Sequence, residues 1–127
     1  MGRLLACKMQ RAGLTPCLLF REGDRRELAQ PLFDLEAESV LRLEAAGTPS
    51  LAPGTIEGLW VTTKAIDVLS ALDSVLPALA ESAPVILMHN GMGVLETLAE
   101  RHPDLPPYSA ITTDGAYLQP RPAGAEP

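Results

Sequence analysis

The sequence predicts an α/β fold built on a parallel sheet, and three observations carry that expectation. Apolar runs of strand length alternate with amphipathic helical segments, glycine or proline stands at most junctions, and the strand-like runs are apolar almost throughout. A length of 127 residues suffices for one domain with a single core.

Residues 3 to 12, RLLACKMQRA, place Leu4, Leu5, Met9 and Ala12 on one helical face, and Gly13 ends that helix. Residues 15 to 22, TPCLLFRE, form a short apolar run between Gly13 and Gly23, the pattern of a buried parallel strand. A loop rich in Arg and Asp follows. Residues 32 to 44, LFDLEAESVLRLE, alternate in two short pieces, which suits a strand pair or irregular hairpin near a sheet edge; a short helix through LEAESVLRLEA is the alternative. Residues 45 to 58 carry two prolines and three glycines and read mostly as connecting loop.

The run LWVTTKA, residues 59 to 65, is a strand rich in β-branched side chains. In the following segment Ile66, Leu69, Leu72, Val75, Leu76 and Leu79 recur at helical spacing, and Pro77 bends or ends that helix. PVILMHN is the next strand, GVLETLAERH the next helix, and Pro103 its stop. Residues 108 to 118, YSAITTDGAYL, form a last strand candidate. One α/β unit is therefore expected over residues 1 to 118, and the tail 119 to 127, QPRPAGAEP, is expected to be disordered.

Composition narrows the function classes. A formal charge of −6 argues against a phosphate-tracking nucleic-acid surface, while leaving room for a small anion held by a local basic cluster. No apolar run approaches the roughly 18 to 20 residues of a membrane-spanning helix. Cys7 and Cys17 lack metal-ligand spacing and read as buried thiols, and no metal site is expected. LLAC at residues 4 to 7 lies too near the start to be a lipoprotein cleavage box, and Ala6 stands where myristoylation wants Ser or Thr. A cytoplasmic location is expected.

Parallel sheets bind ligands at the carboxyl ends of their strands, and three candidates fall there: Arg21, Lys64 and Asn90. In a dinucleotide-binding domain the residue about 20 positions after the glycine turn meets the adenosine ribose; counted from Gly2 it is Arg21 or Glu22. The planar guanidinium of Arg21 suits the 2′-phosphate of NADP, the alternative being a solvated charged loop through Arg25 and Arg26. Lys64 brings a single cation to the same edge. In HNGMG, residues 89 to 93, Gly91 and Gly93 permit positive φ or close backbone approach, and Asn90 offers both donors and acceptors. Capping of the next helix explains Asn90 equally well. His89 reads as a packed residue with one satisfied nitrogen, and the threonines suit strands on propensity alone.

Taken together, VTTKAIDV and, some twenty residues on, VILMHNGMGVLETL resemble the ketopantoate reductase family, and GRLLACKMQRAGLTPCLLFR looks like that family's first helix and second strand. The resemblance implies a Rossmann-type NADP-binding domain, a three-layer parallel sheet, and reduction of the small keto acid 2-dehydropantoate to pantoate on the way to coenzyme A. It also implies roles for Gly2 as the last glycine of the cofactor turn, Arg21 as the 2′-phosphate ligand, Lys64 as a cation on the cofactor and substrate side, and Asn90 with Gly91 on the nicotinamide side. Asp114 stands where many members have His.

Against that family the sequence reads as an internal piece. The first strand and two glycines of the G-x-G-x-x-G turn have no counterpart, nor does the helical domain that supplies the catalytic Lys and a substrate-gripping Glu. In the strand order 3-2-1-4-5-6 the strands at 16 to 21 and 59 to 64 would then lack the neighbour that joins them. Two expectations follow: a cofactor-binding part that is inactive alone, or a noncatalytic module that associates with another chain or with itself to cover the open sheet.

Overall fold

The computed structural model describes residues 1–20, 51–89, 91–105 and 107–113, and within 21–50 the backbone of three strands at 32–34, 39–41 and 44–47. Helix α1 runs over Gly2–Arg11 and buries Ala6 and Cys7. Its end is a left-handed cap: Gly13 has φ +83°, the Gly13 amide donates to the Gln10 carbonyl and the Leu14 amide to the Met9 carbonyl, 3.0 Å each. These two bonds satisfy carbonyls that a helix end leaves open, and only glycine takes that φ without a Cβ penalty.

The chain reverses into β1 (Cys17–Phe20), which pairs parallel with β4 (Glu44–Gly47) in the register Cys17 to Glu44 through Phe20 to Gly47. Between them β2 (Leu32–Asp34) and β3 (Ser39–Leu41) form the antiparallel pair that the alternation of residues 32 to 44 predicts. Strand β4 corrects the expectation of loop from residue 45: its Ala-Ala-Gly stretch lacks strand propensity and is held by the parallel ladder to β1.

The second sheet is β5 (Leu59–Val61), β6 (Val85–Leu87) and β7 (Pro107–Ser109), all parallel in the order β5-β6-β7. Connecting them are α2 (Val68–Val75), flanked by short 3-10 turns at Ala65–Asp67 and Leu76–Ala78, and α3 (Val94–Arg101). Pro77 lies in the second of these turns, where the expected break occurs. The last strand ends at Ser109, with the Ala110 amide adding one more bond to the Leu87 carbonyl at 2.8 Å; residues 111 to 113 continue without strand structure, and residues from 114 on lie outside the described set, Asp114 and the tail included.

The core sits between this sheet and its helices. Leu59 and Val61, Val85 and Leu87, Val68, Leu72 and Val75, and Leu98 make one buried cluster, with Leu19 of β1 packed on its margin. Each fully buried Val or Leu contributes about 1.5 to 3 kcal/mol relative to exposure, so these eight positions dominate the fold's stability. Ile66, expected on the apolar helical face, is 88% exposed, because the helix proper begins only at Val68 and the preceding 3-10 turn aims it outward. Where α2 and α3 meet, Asp73 binds Arg101 at 3.0 Å and His102 Nε2 at 3.2 Å. No helix among the described residues is long and apolar enough to cross a membrane.

Strand β1 departs from the buried strand expected. None of its residues is buried, and Cys17 is exposed while Cys7 is buried. The cause is topological: among the described residues β1 pairs with β4 alone, and its other side opens on a cleft of about 1160 Å³ that it shares with β5.

Candidate functional site

The carboxyl ends of β5 and β6 lie side by side because the two strands pair in register, Val61 opposite Leu87, and the Met88 amide extends the ladder to the Val61 carbonyl at 2.9 Å. Beyond Val61 the chain continues as Thr62-Thr63-Lys64 and turns at Ala65. Lys64 is thus three residues past the strand, extended at φ −64° and ψ 151°, and its carbonyl accepts the Asp67 amide at 2.8 Å. The expectation of a lysine ending the strand is corrected by those three residues, and the result is an exposed cation on the turn above it, bordering the cleft.

Two glycines bring separate parts of the sequence onto this turn. A β-carbon on Gly91 would lie 2.5 Å from Ala65 Cβ and 3.5 Å from His89 Nδ1. A β-carbon on Gly2 would lie 2.6 Å from Thr62 Oγ1. Contacts under 3.0 Å are not made by real Cβ atoms; at Gly91 the opposing alanine methyl is fixed, so close approach demands glycine there, whereas at Gly2 the Thr62 hydroxyl can rotate aside. Gly2, the start of α1, is packed on Thr62 just past the end of β5.

Gly93, by contrast, has φ +83° with open space around it and is the N-cap of α3. Asn90, and Arg21 with it, lie outside the described residues. The structure thus brings Gly2, Lys64 and Gly91 to one edge.

Sequence reasoning missed two groups there. Both ring nitrogens of His89 and the Thr63 hydroxyl are shielded from solvent and have no hydrogen-bond partner. This corrects the expectation of one satisfied nitrogen on His89, and it matters because an unmade buried bond costs about 1 to 3 kcal/mol. Strand propensity alone accounts for Thr63 in the sequence, although it lies past the end of β5, and nothing in the sequence signals the orphaned imidazole; only the fold of the glycine segment against Ala65 does.

A positive side chain, close-approach glycines and unpaired polar atoms at the carboxyl edge of parallel strands are what an anionic, ring-bearing ligand requires. The family model described as ketopantoate reductase PanE/ApbA matches residues 1–122. The chain belongs to the ketopantoate reductase family. A 2-dehydropantoate 2-reductase of Vibrio cholerae serotype O1 is similar to it, 32% identical over 117 residues that cover 91% of this chain and 37% of that protein. The chain spans little more than a third of the curated relative's length.

Ketopantoate reductases are pyridine-nucleotide-dependent, and the described residues fit such a group. Lys64 stands exposed on the turn after β5, and His89 and Thr63 present polar atoms that lack partners within the chain. The three-stranded parallel sheet with helices between its strands is the α/β architecture of the family's Rossmann-like N-terminal domain.

Proposed function

We propose that this chain is the cofactor-binding part of a reductase of small keto acids, with NADP as its cofactor and 2-dehydropantoate as the substrate of the whole enzyme. The observation that carries the reading is the packing of Gly91 on Ala65, which sets the HNGMG segment beside Lys64 at the carboxyl edge of β5 and β6. Residues 1 to 118 form the nucleotide-binding unit in this reading, and 119 to 127 stand apart from it as a tail.

When bound, the nicotinamide ring supplies the hydride that reduces the ketone carbon; the protein's part is binding, orientation and charge. Lys64 offers a cation to phosphate or ribose oxygens, and Gly2 and Gly91 let the start of α1 and the loop after β6 pack on the turn that carries it. Arg21 offers the forked contact that distinguishes a 2′-phosphate from a free hydroxyl, the basis for preferring NADP over NAD. Asn90 offers a donor and acceptors to a carboxamide or a substrate hydroxyl. The shielded atoms of His89 and Thr63 lie in the same segments and can pair with polar groups of cofactor or substrate.

Turnover is not expected of the 127-residue polypeptide alone, because most of the curated relative's length has no counterpart in it. A cytoplasmic setting belongs to the same reading. Titration of purified protein with NADPH, and with NADH in parallel, tests the assignment. Micromolar binding selective for NADPH and lost in Arg21→Ala is the expected result. Equal affinity for the two nucleotides removes NADP, absent binding removes the cofactor, and reduction of 2-dehydropantoate above background removes the expected inactivity.

A further inference from the structure

We propose that His89 and Thr63 hold the carboxamide of the nicotinamide ring, an assignment that rests on the nucleotide reading and goes beyond it in naming which side chains take which ligand group. Three shielded polar atoms lie at the carboxyl edge without hydrogen-bond partners among the described residues: Nδ1 and Nε2 of His89 and the hydroxyl of Thr63. The last paired positions of β5 and β6 are Val61 and Leu87, and Thr63 and His89 each stand two places beyond them. The bond from the Met88 amide to the Val61 carbonyl carries the pairing one step further, so the two segments leave the sheet side by side. Gly91 closes the arrangement. A β-carbon there would lie 2.5 Å from Ala65 Cβ and 3.5 Å from His89 Nδ1, which brings the imidazole to the turn that follows Thr63.

The chemistry of these atoms restricts what can pair with them. A neutral imidazole carries one donor and one acceptor nitrogen, and a hydroxyl both donates and accepts. A phosphate or a carboxylate only accepts, and it would leave the imidazole's acceptor nitrogen unpaired in a place shielded from water. A primary amide donates and accepts from one planar group. In a pyridine nucleotide two parts do so, the carboxamide and the edge of the adenine. The adenosine half belongs with Arg21 past the end of β1, and β5 stands between β6 and the cleft that β1 borders. The carboxamide is left for the end of β6.

The surroundings suit the ring that bears this group. Ile66 and Met92 stand one residue past Ala65 and Gly91, and they are 88% and 100% exposed. Apolar side chains are thus in solvent beside the polar pair, the mixture that a flat apolar ring with one amide requires. His89 and Thr63 each keep part of their surface in solvent, so rotation of the side chains is enough to turn the orphaned atoms toward a ligand. The amide oxygen then accepts from one of these groups while its nitrogen donates to another.

The test uses the full chain, NADPH and its 3-acetylpyridine analogue, which keeps the carbonyl and puts a methyl in place of the amide nitrogen. Affinities for both are measured with the wild type, His89→Phe and Thr63→Val. The wild type is expected to bind NADPH roughly tenfold or more tighter than the analogue. Each variant is expected to bind the two within about threefold of one another, through weaker binding of NADPH. Thr63→Val keeps the shape and removes only the hydroxyl, so the comparison stands if the larger ring at position 89 disturbs folding. Equal binding of the two by the wild type, or a tenfold preference that survives in either variant, overturns the proposal and leaves the nucleotide reading in place. Absent binding of NADPH by the wild type overturns the nucleotide reading and this assignment with it.

Discussion

Gly91 lies so close to Ala65 that a β-carbon on the glycine would sit 2.5 Å from the alanine methyl, and this contact joins the loop after β6 to the turn after β5. Neither atom can rotate away. Gly91→Ala is expected to lower stability by about 1 to 3 kcal/mol through overpacking, read as a lower denaturation midpoint. Ala65→Gly in the same chain removes the opposing methyl and is expected to restore most of that loss. A double-mutant cycle without positive coupling contradicts the contact.

Gly93, two residues on, is constrained differently. Its φ of +83° faces open space, so Gly93→Ala is expected to cost roughly 1 to 2 kcal/mol from backbone conformation alone. Asn tolerates that region better than Ala, and Gly93→Asn is expected to lose less. Equal losses for the two substitutions, measured by urea unfolding, contradict a conformational origin.

Leu72 is fully buried at the centre of the cluster between α2 and the three-stranded sheet. Leu72→Ala is expected to cost about 2 to 5 kcal/mol, from lost transfer energy and the cavity left behind. A loss under about 1 kcal/mol in equilibrium unfolding would place the core elsewhere.

The link from Asp73 to Arg101 and His102 is partly exposed, so solvent screens it. Asp73→Asn is expected to lower stability by no more than about 1 kcal/mol, with the difference from wild type shrinking as salt is added. A larger loss that salt leaves unchanged contradicts a surface pair.

Much of this fold is written in local pattern. The Gly13 cap, the break at Pro77, the hairpin at 32 to 41 and the parallel strands at Leu59 and Val85 each follow from residue type and spacing. The features that escaped are tertiary. Strand β4 has weak propensity and exists through its ladder to β1, and Ile66 shares the helical period but falls in the 3-10 turn before the helix. Cys17 sits on an apolar run yet is exposed because β1 borders the cleft. At the candidate site the glycines, Lys64 and Asn90 are recognisable by their place in two motifs. The Gly91 contact with Ala65 and the orphaned nitrogens of His89 depend on how separate segments meet, which no single stretch encodes.

The most direct measurement is a backbone NMR titration of the full chain with NADPH. The largest shifts are expected at Gly2, Thr63, Lys64 and Gly91, which meet at the carboxyl edge of β5 and β6, with little change at Asp73 and Arg101 on the paired helices. Saturating NADPH that leaves those four amides unmoved, or that shifts the helix pair instead, contradicts a nucleotide site at this edge.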